Sequence, residues 1–347
     1  MDDSLARAVL PIADPPPAQG EVRSVAPGIL WLRMPLPFAL DHINLWLIEE
    51  DGGYVLVDCG YGDAATRAQW QRHFGTTLAQ RPIRSIVVTH CHPDHLGNAA
   101  WLAERYACTV TMTQGEYLAA HALIAEIGGY GPADVQQLFA RHGMAAEHIA
   151  ALAAKGNRYR RGVPEAPHAF ARMVGGDDVA LGGRAWRVIA GYGHSAEHAA
   201  LACEASRVLI AGDMLLPKIS TNVAVWPGEP DADPVQRFLG SLAAFETLPP
   251  DTLVLPSHGP PFRGIAGRVA QLRSHHAQRL AELHDGLAKA AAPQSAHDVI
   301  PLLFRRELDV HQRFFAMGEA IAHLNHLWCE GRAARVIGDD GAVRFTA

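Results

Sequence analysis

The feature that most constrains this chain is a compact β-branched run, SIVVTHC, that leads directly into a dense set of metal-type ligands. Residues 89–98 read THCHPDHLGN, so that His90, His92, Asp94 and His95 fall within six positions. Imidazole and carboxylate groups are good ligands for zinc and related divalent ions. The alternative is a solvated cluster in a chain with 19 histidines. Four candidate ligands in six positions favour a metal site, and Cys91, which would face the other way, is expected to pack.

Three further polar residues stand where apolar, strand-like runs end. His194 follows VIAGYG, Asp213 follows VLIAG, and His258 follows LVLPS. A single polar residue at the end of a strand would be ordinary. Three such residues, each after an apolar run, favour a shared site. Asp58, after YVLV, is a fourth such residue, and its alternative role is that of a turn aspartate that accepts from local backbone amides.

The order of strand-like and helical runs predicts an α/β fold. Strand-like runs (ILWLRM, INLWLIEE, YVLVDCG) precede a helical run (GDAATRAQWQRHFGTTL), and strands and helices then alternate through CTVTMTQG. We predict an extended N-terminal arm over 1–21, a main α/β domain over 22–264 with a helical insertion at about 116–171, and a C-terminal domain over 265–347. Three helical runs and a hairpin signal, RVIGDDGAVRF, indicate that the C-terminal domain resembles a winged helix.

Composition narrows the classes of function. The chain has 347 residues, a formal charge of -6 and no excess of lysine and arginine, which argues against nucleic-acid binding. Five widely spaced cysteines form no C-x-x-C pair, so a disulfide framework is not expected. Neither a secretory segment nor an apolar run of about 20 residues is present, and we expect a cytoplasmic protein without a membrane span.

These motifs together resemble the metallo-β-lactamase fold superfamily of hydrolases. The family pattern H-x-H-x-D-H is similar to residues 90–95, and the later single histidine, aspartate and final histidine match His194, Asp213 and His258. The resemblance covers about Val22 to Arg263 without the insertion, and it implies a four-layered αβ/βα sandwich with the site at one edge.

The resemblance also implies a role for each ligand. It assigns one divalent metal ion to His90, His92 and His194, and a second to Asp94, His95 and His258. Asp213 would bridge the two ions, and Asp58 would orient the site. Zinc is the first expectation for both ions, with manganese or iron as alternatives.

The chemistry that this implies is hydrolysis by a metal-bridging hydroxide, with Asp94 as the catalytic residue that orients the nucleophile and carries its proton. True β-lactamases of this fold generally lack the bridging aspartate, so that Asp213 argues against antibiotic hydrolysis. The flavodiiron-type members usually carry a glutamate at the position of His92, and the sulfur dioxygenases use fewer of these ligands. The complete ligand set therefore favours a hydrolase.

The substrate is less constrained by the sequence. We expect an ester-type bond, with a thioester first and a lactone or other carboxylic ester second. The alternatives are a metal-dependent phosphodiesterase or endoribonuclease, which share the C-terminal winged-helix-like domain within this family, and a metal-binding protein without catalysis. The third C-terminal helix, FFAMGEAIAHLNHLWCEGR, has two glutamates against one arginine and is a poor nucleic-acid recognition helix. His323 and His326, on its apolar face, are interpreted as core residues.

Candidate substrate contacts come from two segments. The basic loop KGNRYRRG, with Lys155, Arg158, Arg160 and Arg161, is either a solvated loop or the part of a lid that binds an anionic handle such as coenzyme A. The others are residues near the metal ligands: Tyr192, Lys218, Ser220 and Asn222. A small-molecule substrate is the expected partner, and a homodimer is left open.

Overall fold

The computed structural model describes residues 9–12 and 14–347, and residues 1–8 and 13 of the predicted N-terminal arm lie outside the described part. The chain divides into two compact units. The first comprises the chain up to Ile124, Tyr159–Thr221 and Ser241–Val269, and the second comprises Ala125–Arg158, Asn222–Gly240 and Ala270–Ala347.

The described strands fall into two sheets and a hairpin. In chain order they are β1 (Leu10–Pro11), β2 (Arg23–Ala26), β3 (Ile29–Pro35), β4 (His42–Glu50), β5 (Gly53–Val57), β6 (Ile83–Val87), β7 (Thr109–Met112), β8 (Ala171–Arg172), β9 (Asp178–Leu181), β10 (Arg184–Gly191), β11 (His198–Cys203), β12 (Val208–Gly212), β13 (Leu253–Pro256), β14 (Phe262–Arg263), β15 (Ala334–Ile337) and β16 (Val343–Thr346).

The described helices are α1 (Ala64–Gly75), α2 (Pro93–Leu96), α3 (Ala99–Tyr106), α4 (Gln114–Ala125), α5 (Pro132–Arg141), α6 (Ala146–Ala153), α7 (Arg158–Gly162), α8 (Pro234–Glu246), α9 (Ile265–Lys289), α10 (Ala296–Leu303) and α11 (Val310–Cys329). No helix among the described residues combines the length and the apolar character needed to cross a bilayer.

The two sheets have seven strands each. The first has the order β2-β3-β4-β5-β6-β7-β8 and becomes parallel from β5 onward. The second has the order β1-β14-β13-β12-β11-β10-β9, in which β12 and β13 are parallel. Part of the predicted arm thus belongs to a sheet, because Leu10 and Pro11 pair with β14 at its edge, where a proline is tolerated.

Alternating side chains give the first sheet two buried faces. Trp31 and Trp46 point to one face, where their rings stack with centroids 6.0 Å apart and pack with residues of the second sheet such as Trp186. The intervening leucines point to the opposite face and pack with residues of the helices, including Trp70 of α1 and Leu102 of α3. Since successive strand residues face opposite ways, sheet–sheet and sheet–helix layers follow from the sequence pattern. The predicted α/β sandwich fold is confirmed.

Contacts between the sheets fix the edge at which the candidate ligands lie. The amide N–H of Asn44 in β4 donates to Ser257 O across 2.7 Å, and the Asn44 side chain donates to Pro256 O and Gly259 O. Ala199 N donates to Thr89 O across 2.8 Å. Because β5 and β6 are parallel, and β12 and β13 are parallel, the residues that follow these strands emerge at common ends.

The second unit includes more of the chain than the predicted C-terminal domain. Its last three helices and the β15–β16 hairpin follow in the predicted order, and the winged-helix arrangement stays a prediction. Much of the predicted insertion also belongs to this unit. The Phe139 ring packs edge to face with Phe314 at 5.8 Å, and His297 N donates to His142 O across 3.1 Å. The helices of the insertion span 114–162, whereas Ala171 and Arg172 form β8 of the first sheet.

Candidate metal centre

Three histidines of the first unit converge on one point. His90 Nε2 lies 2.8 Å from His92 Nδ1 and 3.2 Å from His194 Nε2. In a tetrahedral site with metal–nitrogen distances of about 2.0–2.1 Å, the ligand atoms are roughly 3.3 Å apart. The two distances from His90 are therefore close to the spacing that one metal ion requires, and the ligand atoms of all three residues lie within 4.8 Å of one another.

A second group lies beside the first. The residues of this group are Asp94, His95 and His258, whose ligand atoms lie within 4.8 Å of one another. Asp94 and His95 are placed by the single turn of α2, which begins at Pro93 directly after His92. Asp94 Oδ2 is 3.3 Å from His258 Nε2 and 3.7 Å from His95 Nε2. Two nitrogens and a carboxylate oxygen thus face a common point.

Asp213 lies between the two groups. Its Oδ1 is 3.5 Å from His258 Nε2 and 3.6 Å from His95 Nε2, whereas its Oδ2 is 3.4 Å from His194 Nε2. One carboxylate therefore turns one oxygen to each group, which is the arrangement of a ligand shared by two ions.

Unsatisfied polar atoms in the site fit bound cations. His95 Nε2 and Asp213 Oδ1 are buried and have no hydrogen-bond partner among the described residues. Buried polar atoms of this kind are costly unless a partner or an ion satisfies them. The donor set of imidazoles and carboxylates is also that of a divalent metal site, so the residues present fit the implied ions.

The second nitrogen of each of three ligand rings has a partner that sets the ring's orientation. His95 Nδ1 donates to Asp58 Oδ2 across 2.8 Å, and His258 Nδ1 donates to the backbone oxygen of His42 across 2.8 Å. The hydroxyl of Thr89 donates to the Asp58 carboxylate and can therefore accept from His90 Nδ1, 3.0 Å away. In each ring Nε2 is therefore the nitrogen that faces the site, which is the usual arrangement of a metal-binding histidine.

The backbone of Asp58 is held in an unusual conformation. Asp58 has φ 62°, a left-handed value that non-glycine residues seldom adopt. Its Oδ1 accepts from the amide of Thr89 across 2.8 Å, and its own amide donates to Val87 O. The hydrogen bonds with Val87 of β6 and with Thr89 hold this conformation, which directs the carboxylate at His95.

The two groups differ in their electrostatic environment. Burial and the neighbouring imidazoles lower the pKa of His90 well below its usual value and that of His92 to about 3. Burial also acts to lower the pKa of His258, but the carboxylates of Asp213 and Asp94 outweigh it and raise the pKa to about 10. Without ions, the imidazoles of His90 and His92 are thus neutral, and the second group is a network of carboxylates and imidazolium.

Several contacts fix the chain around Asp213. Gly212 has φ 53°, and a Cβ at this position would lie 2.3 Å from His198 Nε2. The Asp213 amide donates to His198 Nε2 across 3.1 Å, and Thr221 Oγ1 donates to Asp213 O. Glycine is therefore required before Asp213, both for its conformation and for the space that His198 occupies.

The predicted substrate contacts are placed differently from one another. In the first unit, Tyr192 is exposed and its amide donates to Ser241 Oγ, Lys218 and Arg160 are exposed, and Ser220 is partly buried. In the second unit, Arg158 binds His311 and lies over the ring of Phe314, and Asn222 donates to Glu319 Oε2 across 3.2 Å. Their roles toward a substrate stay predictions.

Two residues with central positions are absent from the predicted set. His198 is fully buried beside His90, with ring centroids 4.8 Å apart. Its place four residues after His194, at the start of a strand, was a usable sequence signal. Glu116 is also fully buried and accepts from the backbone on either side of the three-histidine group. Its position in an alanine-rich helix gave no such signal.

Comparison with known proteins decides the family. The sequence model of the metallo-β-lactamase superfamily matches residues 39–258. The chain belongs to the metallo-β-lactamase superfamily. A model described as the metallo-β-lactamase-like C-terminal domain matches residues 280–347 of this superfamily member. Membership confirms the predicted class of metal-dependent hydrolase.

Individual relatives of this superfamily member extend over almost the whole chain. It is 48% identical to a β-lactamase domain protein from Burkholderia ambifaria, with 99% of both chains covered and a TM-score of 0.90. It is 28% identical to a metallo-β-lactamase family protein from Thermus thermophilus, over 93% of this chain and 99% of that one, with a TM-score of 0.79. It is also 23% identical to the probable metallo-hydrolase YqjP from Bacillus subtilis (strain 168), over 87% of this chain and 92% of that protein.

Proposed function

We propose that this protein is a binuclear metal-dependent hydrolase of ester-type substrates. His90, His92 and His194 would hold one ion, and Asp94, His95 and His258 would hold the other, with Asp213 shared. The observation that carries the proposal is the orientation of Asp213, whose two oxygens face different groups at 3.4 Å and 3.5 Å. When bound, a pair of divalent ions acts as a Lewis acid that lowers the pKa of water and neutralises charge on a carbonyl oxygen.

The protein's own residues would prepare the site for this chemistry. The neutral imidazoles of His90 and His92 need lose no proton before they bind a cation. The Asp94 side chain is about 20% exposed, whereas that of His95 is fully buried and that of His258 is 3% exposed. Asp94 is therefore the member of the second group that is most open to a reactant. It would orient the attacking water and hold its proton for the leaving group.

The donor chemistry favours zinc, with manganese or iron as alternatives. Five of the seven proposed ligands are histidines, and imidazole suits zinc better than it suits the harder ions. The proposed ligands include no cysteine, so a thiolate does not contribute to the choice.

Charge pairing in the second unit supports a small substrate over a nucleic acid. Arg335 binds Asp231, and its guanidinium lies over the Trp328 ring. Arg344 pairs with Asp340, and Arg332 pairs with Glu330 across 3.0 Å. The arginines in and next to the hairpin thus face carboxylates of this chain, and they do not form a uniformly basic surface of the kind that phosphate backbones require. We propose a thioester first and a lactone or other carboxylic ester second, with coenzyme A as a candidate anionic handle.

A substrate panel tests the proposal. Purified protein loaded with zinc or manganese is assayed on acyl-coenzyme A thioesters, lactones, simple esters and single-stranded RNA, and metal content is measured on the same samples. We expect metal-dependent cleavage of an ester-type bond. Rapid metal-dependent RNA cleavage with inert esters would replace the proposal with an endoribonuclease, the function that the three-helix and hairpin order would also suit.

A matched pair of variants separates the site from its surroundings. Asp94→Asn keeps the shape of the side chain and should lower turnover by about 10²- to 10⁴-fold. Asp178→Asn, at an exposed ion pair with Arg187, should leave turnover unchanged. Equal activity of the two variants would show that Asp94 does not take part in the reaction.

A further inference from the structure

The carboxylate of Glu116 lies between two segments that carry the three-histidine group. We call these the first ligand loop, residues 89–98, and the second ligand loop, residues 192–198. Glu116 Oε2 accepts from Cys91 N, between His90 and His92, across 2.8 Å. Its Oε1 accepts from Ser195 Oγ and from Glu197 N, each across 2.6 Å. One buried side chain thus bonds to the residues that adjoin His90, His92 and His194.

Glu116 is itself held by a reciprocal set of bonds. It lies in the first turn of α4, and the amide of the preceding Gly115 donates to Glu197 Oε2 across 2.9 Å. Thr113 Oγ1 donates to Glu197 O across 2.7 Å. A Cβ on Gly115 would lie 2.9 Å from the Glu197 Cβ, so that glycine permits the close approach. The start of α4 and the second ligand loop are therefore fixed to each other from both sides.

In the first ligand loop, both backbone groups of Cys91 form hydrogen bonds. Cys91 N donates to Glu116, and Cys91 O accepts from Tyr159 Oη across 2.6 Å. The Cys91 peptide groups cannot rotate without loss of one of these bonds. Because the peptide groups of Cys91 set the directions of the adjacent side chains, the two contacts fix how His90 and His92 point.

We infer that Glu116 is a positioning residue that sets the spacing of the three-histidine metal site by joining its two ligand loops. The inference rests on the proposed function, because it requires that this group hold an ion. Three donors face two oxygens, and an ionised carboxylate can accept from all of them. A glutamine amide of the same shape would place an NH2 donor against one of these donors. Glu116→Gln therefore disturbs the contact with little change of volume.

Metal binding provides a test that does not depend on the substrate. Zinc affinity is measured by competition with a chromophoric chelator, and cobalt(II) is added to the metal-free protein to record its visible spectrum. We expect Glu116→Gln to weaken binding at the three-histidine site by about 10- to 100-fold and to alter the cobalt bands of that site. Glu116→Asp, which retains the charge, should recover part of the affinity.

The control is a variant that lowers the stability of the same unit elsewhere. Asp63 accepts from Thr66 N at the start of α1, and Asp63→Ala removes this cap at a cost of about 1 kcal/mol. It should leave zinc affinity and the cobalt spectrum unchanged. If Asp63→Ala reproduces the losses of Glu116→Gln, the effect comes from general destabilisation and the positioning role is wrong.

A milder variant keeps the test decisive if Glu116→Gln does not fold. Ser195→Ala removes one of the three hydrogen bonds to Glu116 and should weaken zinc binding by about threefold to tenfold. This loss is smaller than the one expected for Glu116→Gln, because two of the three bonds remain. Unchanged affinity in Ser195→Ala, together with failure of Glu116→Gln to fold, would assign Glu116 to the core. Failure of the proposed metal site is distinguishable, since the wild-type protein would then bind fewer than about one ion per chain. Failure of the proposed substrate class alone would leave the zinc affinity of the wild-type protein unchanged.

Discussion

His95 Nδ1 donates to Asp58 Oδ2 across 2.8 Å, and both side chains are almost completely buried. The aspartate makes this bond from a backbone with φ 62°. The Asp58 carboxylate holds the Nδ1–H of His95, so that Nε2 is the ring nitrogen that faces the candidate metal site. A residue outside the proposed ligand set thus orients one of the proposed ligands.

Asp58→Asn should weaken metal binding at the second group by about 10- to 100-fold. Asparagine tolerates the left-handed backbone, so that the fold should be retained. It offers a single acceptor oxygen where Asp58 offers two, and Thr89 and His95 both use them. Chelator competition measures the affinity, with Asp178→Asn as the control. Equal affinities of these two variants would mean that the bond does not orient His95.

Removal of the metal should lower the stability of the first unit. Without ions, His95 Nε2 and Asp213 Oδ1 are buried without hydrogen-bond partners in the described structure. A ligand at 100 times its Kd stabilises the folded state by about 2.7 kcal/mol for one site. We therefore expect chelation to lower Tm by several degrees and zinc to restore it. A Tm that is the same with and without zinc, at confirmed metal loading, would contradict the assignment.

Replacement of Gly212 and of Gly240 by alanine should change the unfolding free energy in opposite directions. Gly212→Ala places a side chain at φ 53° and 2.3 Å from His198 Nε2, and should cost more than about 2 kcal/mol. Gly240 is exposed within α8, and no atom beyond its own helix backbone would lie within 4 Å of a Cβ. Gly240→Ala should raise the unfolding free energy by roughly 0.5–1 kcal/mol.

Denaturant unfolding of both variants checks this pair. If Gly212→Ala unfolds at the wild-type denaturant concentration, the space between Gly212 and His198 is not restricted. Metal content of Gly212→Ala should fall as well, since the glycine directly precedes Asp213.

The structure brings the seven proposed ligands together, and the sequence could predict this set because its signal is local. His90 to His95 share one loop, and His194, Asp213 and His258 each follow an apolar run whose carboxyl end could be read from the sequence. Glu116 could not, because its position depends on contacts with Ser195 and Glu197, which lie 79 and 81 positions further along the chain. The extent of the second unit could not be predicted either, because it also depends on contacts between residues far apart in the chain. Gly143 lies against Ser295 through a packing contact that no local pattern encodes.

Glu319 should make the stability of the second unit depend on pH. Burial raises the pKa of this carboxyl from 4.5 to about 7, although a hydrogen bond from Asn222 and the charge of Arg279 oppose the shift. The folded state therefore binds a proton more tightly than the unfolded state does. The stabilisation is fully present below pH 4.5 and is lost as the pH rises through 7. One pKa unit corresponds to about 1.4 kcal/mol, so that the loss amounts to about 3 kcal/mol.

Glu319→Gln removes the titration and keeps an uncharged side chain of the same shape. The difference in unfolding free energy between Glu319→Gln and wild type should shift in favour of the variant by about 3 kcal/mol between pH 4.5 and pH 8. Glu307→Gln, at an exposed position before α11, should show no such shift. Because each comparison is made at a common pH, the titration of all other groups cancels. A Glu319→Gln difference that is constant over this range would show that Glu319 ionises equally in the folded and unfolded states.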